Sequence, residues 1–247
     1  MPTLRHALVW ALALSLILPL AGHVLQWSVW QAVYTPSLEQ CQAAAGQGAC
    51  WGVVAEKWKI MLFGRFPADE TWRAAVAVVL WSALMFITAT RQAKPSVLLG
   101  LWLVFGTTGL LLMAGGVGGL QAVPNHLWGG LPLTLLIACG GFALAFPLGV
   151  LLALGRRSAF RPLAWLCTVY IELLRALPLV SVLFLAAFVL PLMWKGAAAP
   201  WGLDLLPRVI VTIALFSAAY LAEVVRGGLQ NVPAGQAQAA RALGLNA

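Results

Sequence analysis

The sequence predicts an all-α fold, a polytopic bundle of transmembrane helices. Of its 247 residues, 62% are hydrophobic and only 9% are charged, whereas a soluble domain carries about 25% charged residues. The hydrophobic residues form several runs of about 20 residues, the length that a membrane span requires. A segment in hydrocarbon has to satisfy its own backbone hydrogen bonds, so we expect each run to be a helix.

Six such runs follow one another along the chain. The predicted spans cover residues 7–30, 74–90, 97–118, 131–154, 166–193 and 207–226. The first run is longer than the apolar core of a cleaved signal peptide, about 7–15 residues, and is predicted to remain as a membrane anchor. The net charge of +8 does not indicate nucleic-acid binding, because the basic residues stand at the ends of the apolar runs.

The basic residues predict the orientation of the spans, since Lys and Arg are enriched in cytoplasmic connections. They precede the first span and follow each even-numbered span. These residues are Arg5, Arg91, Lys94, Arg156, Arg157, Arg161, Arg226 and Arg241. The pattern places the N-terminus in the cytoplasm.

The large connection at 31–73 is expected on the outer side, because its nearly balanced charges allow translocation. Trp51 and Trp58 within it are typical of a segment that lies along the membrane interface. Cys41 and Cys50 lie in the same connection, where an oxidising periplasm permits a disulfide. Their spacing alone leaves the pairing open.

A Gly- and Pro-containing stretch at 115–132 is the clearest boundary in the sequence. We predict an N-terminal extension at 1–125, which holds three spans and the large outer connection. The second part, at 126–247, holds three spans and a terminal cytoplasmic loop, and it contains the motifs that point to a function.

Several enzyme motifs are missing from the sequence. It has no G-x-x-x-x-G-K-[ST] phosphate loop and no H-E-x-x-H metal motif, and it has no G-x-S-x-G nucleophile elbow. The two remaining cysteines, Cys139 and Cys167, have no His or carboxylate partners, so no metal site is predicted. We do not expect this chain to be an enzyme.

The first functional motif precedes an apolar run. Glu172 and Arg175 are three residues apart and therefore lie on one face of a helix. Pro178 cannot donate a backbone hydrogen bond and is expected to bend the helix. Ionisable groups at membrane depth usually face a protein interior or an aqueous cavity, but a local ion pair at the lipid interface is an equally open interpretation.

The second motif repeats this spacing at the end of span six, where Tyr220, Glu223 and Arg226 stand together. Two glycines, Gly227 and Gly228, are expected to break the helix. Good helix formers then occupy 234–243, and Gly244 is placed to end them. One face of this short helix carries Gln236, Ala239, Ala240 and Leu243, whose small side chains fit either a docking helix or a solvated interfacial helix.

Together, these segments resemble the permeases of polar amino acid ABC transporters. The family loop pattern, E-A-A, three residues and Gly, is matched by Gln238, Ala239, Ala240 and Gly244. The upstream family pattern E-x-x-R-G-x-P-L is matched by Glu172, Arg175, Ala176, Pro178 and Leu179. Gln238 stands where the family has Glu, and Ala176 stands where it has Gly. The resemblance covers about 131–247, and the three extra spans resemble the longer permease subunits of general L-amino acid transporters.

The resemblance implies two groups of functional residues. ATPase coupling is implied for Gly235, Gln236, Gln238, Ala239, Ala240, Leu243 and Gly244. The translocation path or its gate is implied for Glu172, Arg175, Pro178, Tyr220, Glu223 and Arg226.

The resemblance also implies partners and a location. The expected activity is ATP-driven import of amino acids across the bacterial inner membrane, coupled through the cytoplasmic loop at 227–247. The implied partners are a second permease subunit in a heterodimer, an ABC ATPase dimer that uses ATP and Mg, a periplasmic amino acid-binding protein and membrane lipid. No cofactor is expected on this chain. Because the family continues through two further spans, we expect the sequence to be truncated at its C-terminus.

Two other functions stay open from the sequence. One is a non-transport membrane scaffold whose Ala-rich helix recruits a soluble partner, and a copurifying ATPase would discriminate against it. The other is an ABC permease for another small solute, such as a peptide or an opine, which only a ligand measurement separates from an amino acid permease.

Overall fold

Helices make up the described parts of the chain. The computed structural model describes residues 2–90, 93–193 and 204–244, and within these ranges it contains eleven α-helices and no named β-strand. The helices are α1 (Pro2–Leu25), α2 (Leu38–Ala43), α3 (Trp51–Phe63), α4 (Thr71–Thr90), α5 (Pro95–Ala114), α6 (Gly130–Arg156), α7 (Arg161–Ala176), α8 (Leu179–Phe184), α9 (Leu190–Met193), α10 (Leu205–Gln230) and α11 (Ala234–Ala242). The all-α prediction is confirmed. Arg91 and the last three residues of the predicted coupling loop lie outside the described residues.

Five helical segments are long and apolar enough to cross a membrane. They are His6–Trp30, Ala68–Thr90, Pro95–Ala114, Gly130–Arg156 and Leu205–Gln230. A sixth crossing can be formed by two segments, Arg161–Ala176 and Leu179–Met193, which meet at an angle of 104°. The predicted spans thus have counterparts, and the bend predicted at Pro178 is present, as a complete break between the two segments.

The fifth span is broken between Ala176 and Leu179 because of its proline. Pro178 has no N–H to donate and disfavours the α conformation in the residue before it. Leu177 accordingly has extended backbone angles, φ −94° and ψ 144°. The 16 residues of α7 measure about 24 Å at 1.5 Å per residue, so α7 is too short to cross a hydrocarbon layer of about 30 Å by itself.

The closest packing in the described bundle joins α6 to α10. Ala145 of α6 and two alanines of α10, Ala214 and Ala218, form a buried cluster between the helices. A Cβ placed on Gly149 would lie only 2.7 Å from the Cβ of Leu221. Membrane helices associate through such small residues, since lipid supplies no hydrophobic force between them. The two backbones can therefore approach each other closely.

A second buried cluster connects the two predicted parts of the chain. Trp81 of α4 is fully buried in this cluster, together with Met113 of α5 and Cys139 of α6. A Cβ on Gly109 would lie 2.5 Å from the indole nitrogen of Trp81, so α5 and α4 are also in close contact. The division at residue 125 stays a prediction about sequence organisation, and the structure adds that both parts share this cluster.

The 31–73 connection is tied to the spans at both of its ends. The indole N–H of Trp51 donates to the carbonyl of Ser28 at 2.7 Å. At the other end, a Cβ on Gly64 would lie 2.6 Å from the Cα of Gly129, directly before α6. Cys41 and Cys50 form a disulfide with their Cα atoms 5.5 Å apart. These two contacts and the disulfide therefore hold the connection in place against the spans.

One charged side chain, Arg73, is completely buried near the start of α4. Its Nη1 donates to the carbonyl of Gln121 at 3.1 Å. Its Nε lies 3.0 Å from a carboxylate oxygen of Glu70, as an ion pair that is not aligned as a hydrogen bond. Gly115 (φ +67°) is required beside it, because a Cβ there would lie 2.7 Å from Nη1. Arg73 thus holds the 115–128 connection against α4.

The contact between α6 and α10 predicts different effects for two glycine substitutions. Gly149→Ala is expected to lower stability by about 1–3 kcal/mol, as overpacking does, because its methyl group would meet Leu221. Gly106→Ala of α5 is the matched control, since nothing lies within 4 Å of its Cβ position. Thermal melting in mild detergent measures both, and equal melting temperatures would contradict the close approach.

Candidate functional site

The first functional motif is positioned by the packing of α7 on two other helices. Ile171 is fully buried in a cluster with Ala153 of α6 and Ala222 of α10. The hydroxyl of the preceding residue, Tyr170, donates to the carbonyl of Leu215 at 2.7 Å. These contacts fix α7 and place the neighbouring Glu172 at the ends of α6 and α10.

The carboxylates of the two predicted motifs meet at one guanidinium group, that of Arg156. Arg156 is the last residue of α6, and its Nη2 lies 3.0 Å from Oε1 of Glu172 on α7. Its Nη1 donates to Oε1 of Glu223 on α10. The side chain of Glu223 is only 16% exposed, whereas that of Glu172 is 56% exposed. Arg156 therefore joins three helices.

The other oxygen of Glu223 is bound by the arginine of its own motif. Arg226 donates to Oε2 from Nε at 2.8 Å and from Nη2 at 2.6 Å. Arg175 lies farther away, with its Nη1 4.0 Å from the same oxygen. Its guanidinium also stands 5.9 Å from the centre of the Tyr220 ring, within the range of a cation–π contact. We call these six residues, Arg156, Glu172, Arg175, Tyr220, Glu223 and Arg226, the charge cluster.

The structure thus brings together five of the six residues predicted for the path or gate. The sixth, Pro178, is the N-cap residue of the next helix, α8. Arg156 was missed as a site residue, because the sequence analysis used it only for orientation. One signal pointed to it, namely two glutamates on different spans, which need a cation between them if they face each other. The sequence does not show that they do.

The prediction that Gly227 and Gly228 break the helix is wrong. α10 continues through both glycines to Gln230, and the chain turns at Asn231 and Pro233 instead. Each glycine costs a helix only about 1 kcal/mol. Arg226 binds Glu223 on one side and the side-chain oxygen of Gln230, at 3.0 Å, on the other. These contacts bracket the glycines and support the helix across them.

The terminal helix α11 presents most of its predicted face to the outside. Gln236, Ala239 and Leu243 are exposed, and Ala240 is half-buried. Leu243 is 78% exposed, so its side chain is available for contact with lipid or another protein. Gly244 ends the helix with a φ of +73°, as the sequence predicted.

The other predicted coupling residues lie around the same helix. Gly235 and Gln238 are exposed, but helical spacing places Gln238 on the side away from Gln236, Ala239 and Leu243. Among the residues that the structure describes, no group of three His, Cys, Asp or Glu side chains could hold a metal ion. The cluster consequently offers charges and hydrogen bonds, and the α11 face offers a small apolar surface.

The part of the chain that carries both features matches a known family. Residues 145–247 match the model described as "Binding-protein-dependent transport system inner membrane component". The match begins within α6 and includes the charge cluster and α11. The matched part is therefore similar to this family of transporter subunits.

Relatives extend the likeness over most of the chain. It is 38% identical, over 90% of its length, to the inner membrane amino-acid ABC transporter permease protein YhdY of Escherichia coli K12, of which it covers 60%. It is 32% identical, over 88% of its length, to the glutamate/glutamine/aspartate/asparagine transport system permease protein BztC of Rhodobacter capsulatus, of which it covers 64%. The chain therefore spans less than two thirds of these relatives. The predicted resemblance to amino acid ABC permeases is confirmed.

One solved structure is also similar in part. A crystal structure of "an amino acid ABC transporter with histidines" matches 46% of this chain and 50% of its own chain, at 28% identity and with a TM-score of 0.40.

The charge cluster predicts that its two glutamates contribute unequally to stability. Glu223→Gln is expected to cost about 1.5–3 kcal/mol, the range for hydrogen bonds to charged groups, because Arg156 and Arg226 both lose the charge of the carboxylate that they share. Glu172→Gln is expected to cost less than about 1 kcal/mol, since its ion pair is largely exposed. Thermal melting of the two variants in mild detergent compares them. A larger loss in Glu172→Gln would contradict the central position of Glu223.

Proposed function

We propose that this chain is part of the membrane-spanning permease subunit of an ATP-driven ABC importer for amino acids. The observation that carries the proposal is the position of α11. This helix follows a continuous span, exposes a face of small and apolar residues, and lies within the part that matches the transporter family. A helix so placed can bind a soluble ATPase and pass its movement to the span.

The amino acid class of the substrate is supported by the relatives. The names of YhdY and BztC describe amino acid permeases, and the two likenesses cover 90% and 88% of this chain. The shorter glutamate/aspartate import permease protein GltK of Escherichia coli is 34% identical over 122 residues. An ABC permease for a peptide or an opine is a rival that uptake competition with those solutes tests.

The proposed function requires partner subunits. A second permease subunit would form a heterodimer with it, and an ABC ATPase dimer would bind ATP and Mg. A periplasmic amino acid-binding protein would deliver the substrate. In this assembly the chain itself is not catalytic, and ATP hydrolysis takes place on the ATPase subunits.

The proposed orientation places the N-terminus, the charge cluster and α11 on the cytoplasmic side of the bacterial inner membrane. The basic residues at the ends of the spans support this orientation. The disulfide between Cys41 and Cys50 also supports it, because the 31–73 connection then lies in the oxidising periplasm.

The proposed mechanism assigns α11 the role of ATPase contact and the charge cluster that of a gate. Closure of the ATPase dimer would displace α11, and α10 would move with it. The movement would open the path on the opposite side of the membrane only if ATP binds more tightly to the closed state, since a ligand shifts an equilibrium by its differential affinity.

The α11 face predicts the effect of one charge on assembly. Ala239→Asp is expected to remove the ATPase from the complete gene product, purified with an N-terminal tag from its own membranes, because a carboxylate would be buried without a partner. Mass spectrometry of the copurifying proteins measures this.

Asn231→Asp is the matched control, because it introduces the same charge at the exposed turn before α11 and is expected to retain the ATPase. Recovery of a folded wild-type protein with no ABC ATPase would contradict the importer and favour the scaffold. Equal ATPase recovery from both variants would show that this face is not the contact.

A further inference from the structure

Arg156 is the one arginine of the charge cluster that belongs to neither E-x-x-R motif. Its guanidinium contacts Glu172 on α7 and Glu223 on α10, while it ends α6 itself. Among the described residues, no other Lys or Arg contacts both glutamates, because Arg175 and Arg226 approach Glu223 only. Arg156 is therefore the one described arginine that contacts the glutamates of both E-x-x-R motifs, while Arg175 adds a longer contact to Glu223, at 4.0 Å.

The two oxygens of Glu223 are divided between different arginines. Oε1 accepts from Arg156, across the interface between helices, and Oε2 accepts from Arg226, within α10. Loss of Arg156 would therefore leave Glu223 with a partner. The ionic connection of α10 to α6 would be lost, and only the 4.0 Å contact of Arg175 would still join α10 to α7. We therefore expect a defect in the movement of α10 and not a buried charge without a partner.

The position of α10 bears directly on α11. α10 is one helix from Leu205 to Gln230, and Glu223 stands about 10 Å before its end at 1.5 Å per residue. Three residues then separate Gln230 from α11. A displacement of α11 has to reach Glu223 through this short segment, and the contact with Arg156 opposes it.

We propose that Arg156 is a positioning residue that holds α10 against α6 and α7 and so couples ATP hydrolysis to transport. The proposal rests on the proposed function and names a residue that regulates the same site. With Arg156 present, α10 leaves α6 only when the loaded transporter compensates for the lost ion pairs. Without it, α10 moves during ATP hydrolysis whether or not substrate is delivered.

The test is the number of amino acids transported per ATP hydrolysed by the complete complex in proteoliposomes. Arg156→Gln is expected to lower this ratio by at least about fivefold, the lower range of coupling between sites, and to raise ATP hydrolysis in the absence of substrate. Arg156→Lys is expected to restore part of the ratio, because an ammonium group retains the charge but lacks the fork that reaches two carboxylates.

Arg157→Gln is the matched control, since Arg157 is adjacent and exposed and forms no ion pair or side-chain hydrogen bond in the described structure. Its ratio is expected to equal that of the wild type. Combined with Glu172→Gln, the Arg156→Gln change is expected to be non-additive, as for residues in one network.

Two results would overturn the proposal. One is an unchanged ratio in Arg156→Gln, and the other is a fall of transport and hydrolysis in equal proportion, which is the sign of a purely structural role. Failure of the proposed function looks different, because the assembled wild-type complex would then transport no amino acid at all.

Discussion

The close packing of α6 against α10 determines where every charged group of the site lies. Gly149 and the alanines opposite it allow the two backbones to approach, and Arg156 at the end of α6 consequently meets Glu223. Ile171 then adds α7 through apolar contacts with both helices. Partly exposed ion pairs contribute only about 0–1 kcal/mol each, so the apolar packing positions the charges, and the ion pairs select among nearby arrangements.

Most of the spans could be predicted from the sequence, because a membrane span requires about 20 consecutive apolar residues, and such a run is visible in the sequence itself. The E-x-x-R motifs were visible for the same reason, since helical spacing is local. The partner of Glu172 was not, because Arg156 meets it only through the packing of α7 on α6. A bend at Pro178 was predicted, but its angle of 104° was not. Its missing donor predicts a disturbance, but the extended conformation of Leu177 turns a bend into a break.

The continuity of α10 connects the charge cluster to α11. The two glycines after Arg226 predicted the end of the helix, and a break there would have separated α11 from the charge cluster. The continuous helix instead places the turn at Pro233, after the span has left the cluster. The cluster and α11 are consequently two ends of one short segment, and movement at one end affects the other.

ATP-dependent uptake of labelled amino acids tests the central claim most directly. The complete gene product, purified with its ATPase, would be reconstituted in proteoliposomes with a periplasmic binding protein outside and ATP inside. The account predicts that amino acids accumulate only when ATP and the binding protein are both present. Uptake that proceeds equally without ATP, or no uptake by a fully assembled complex, would contradict it.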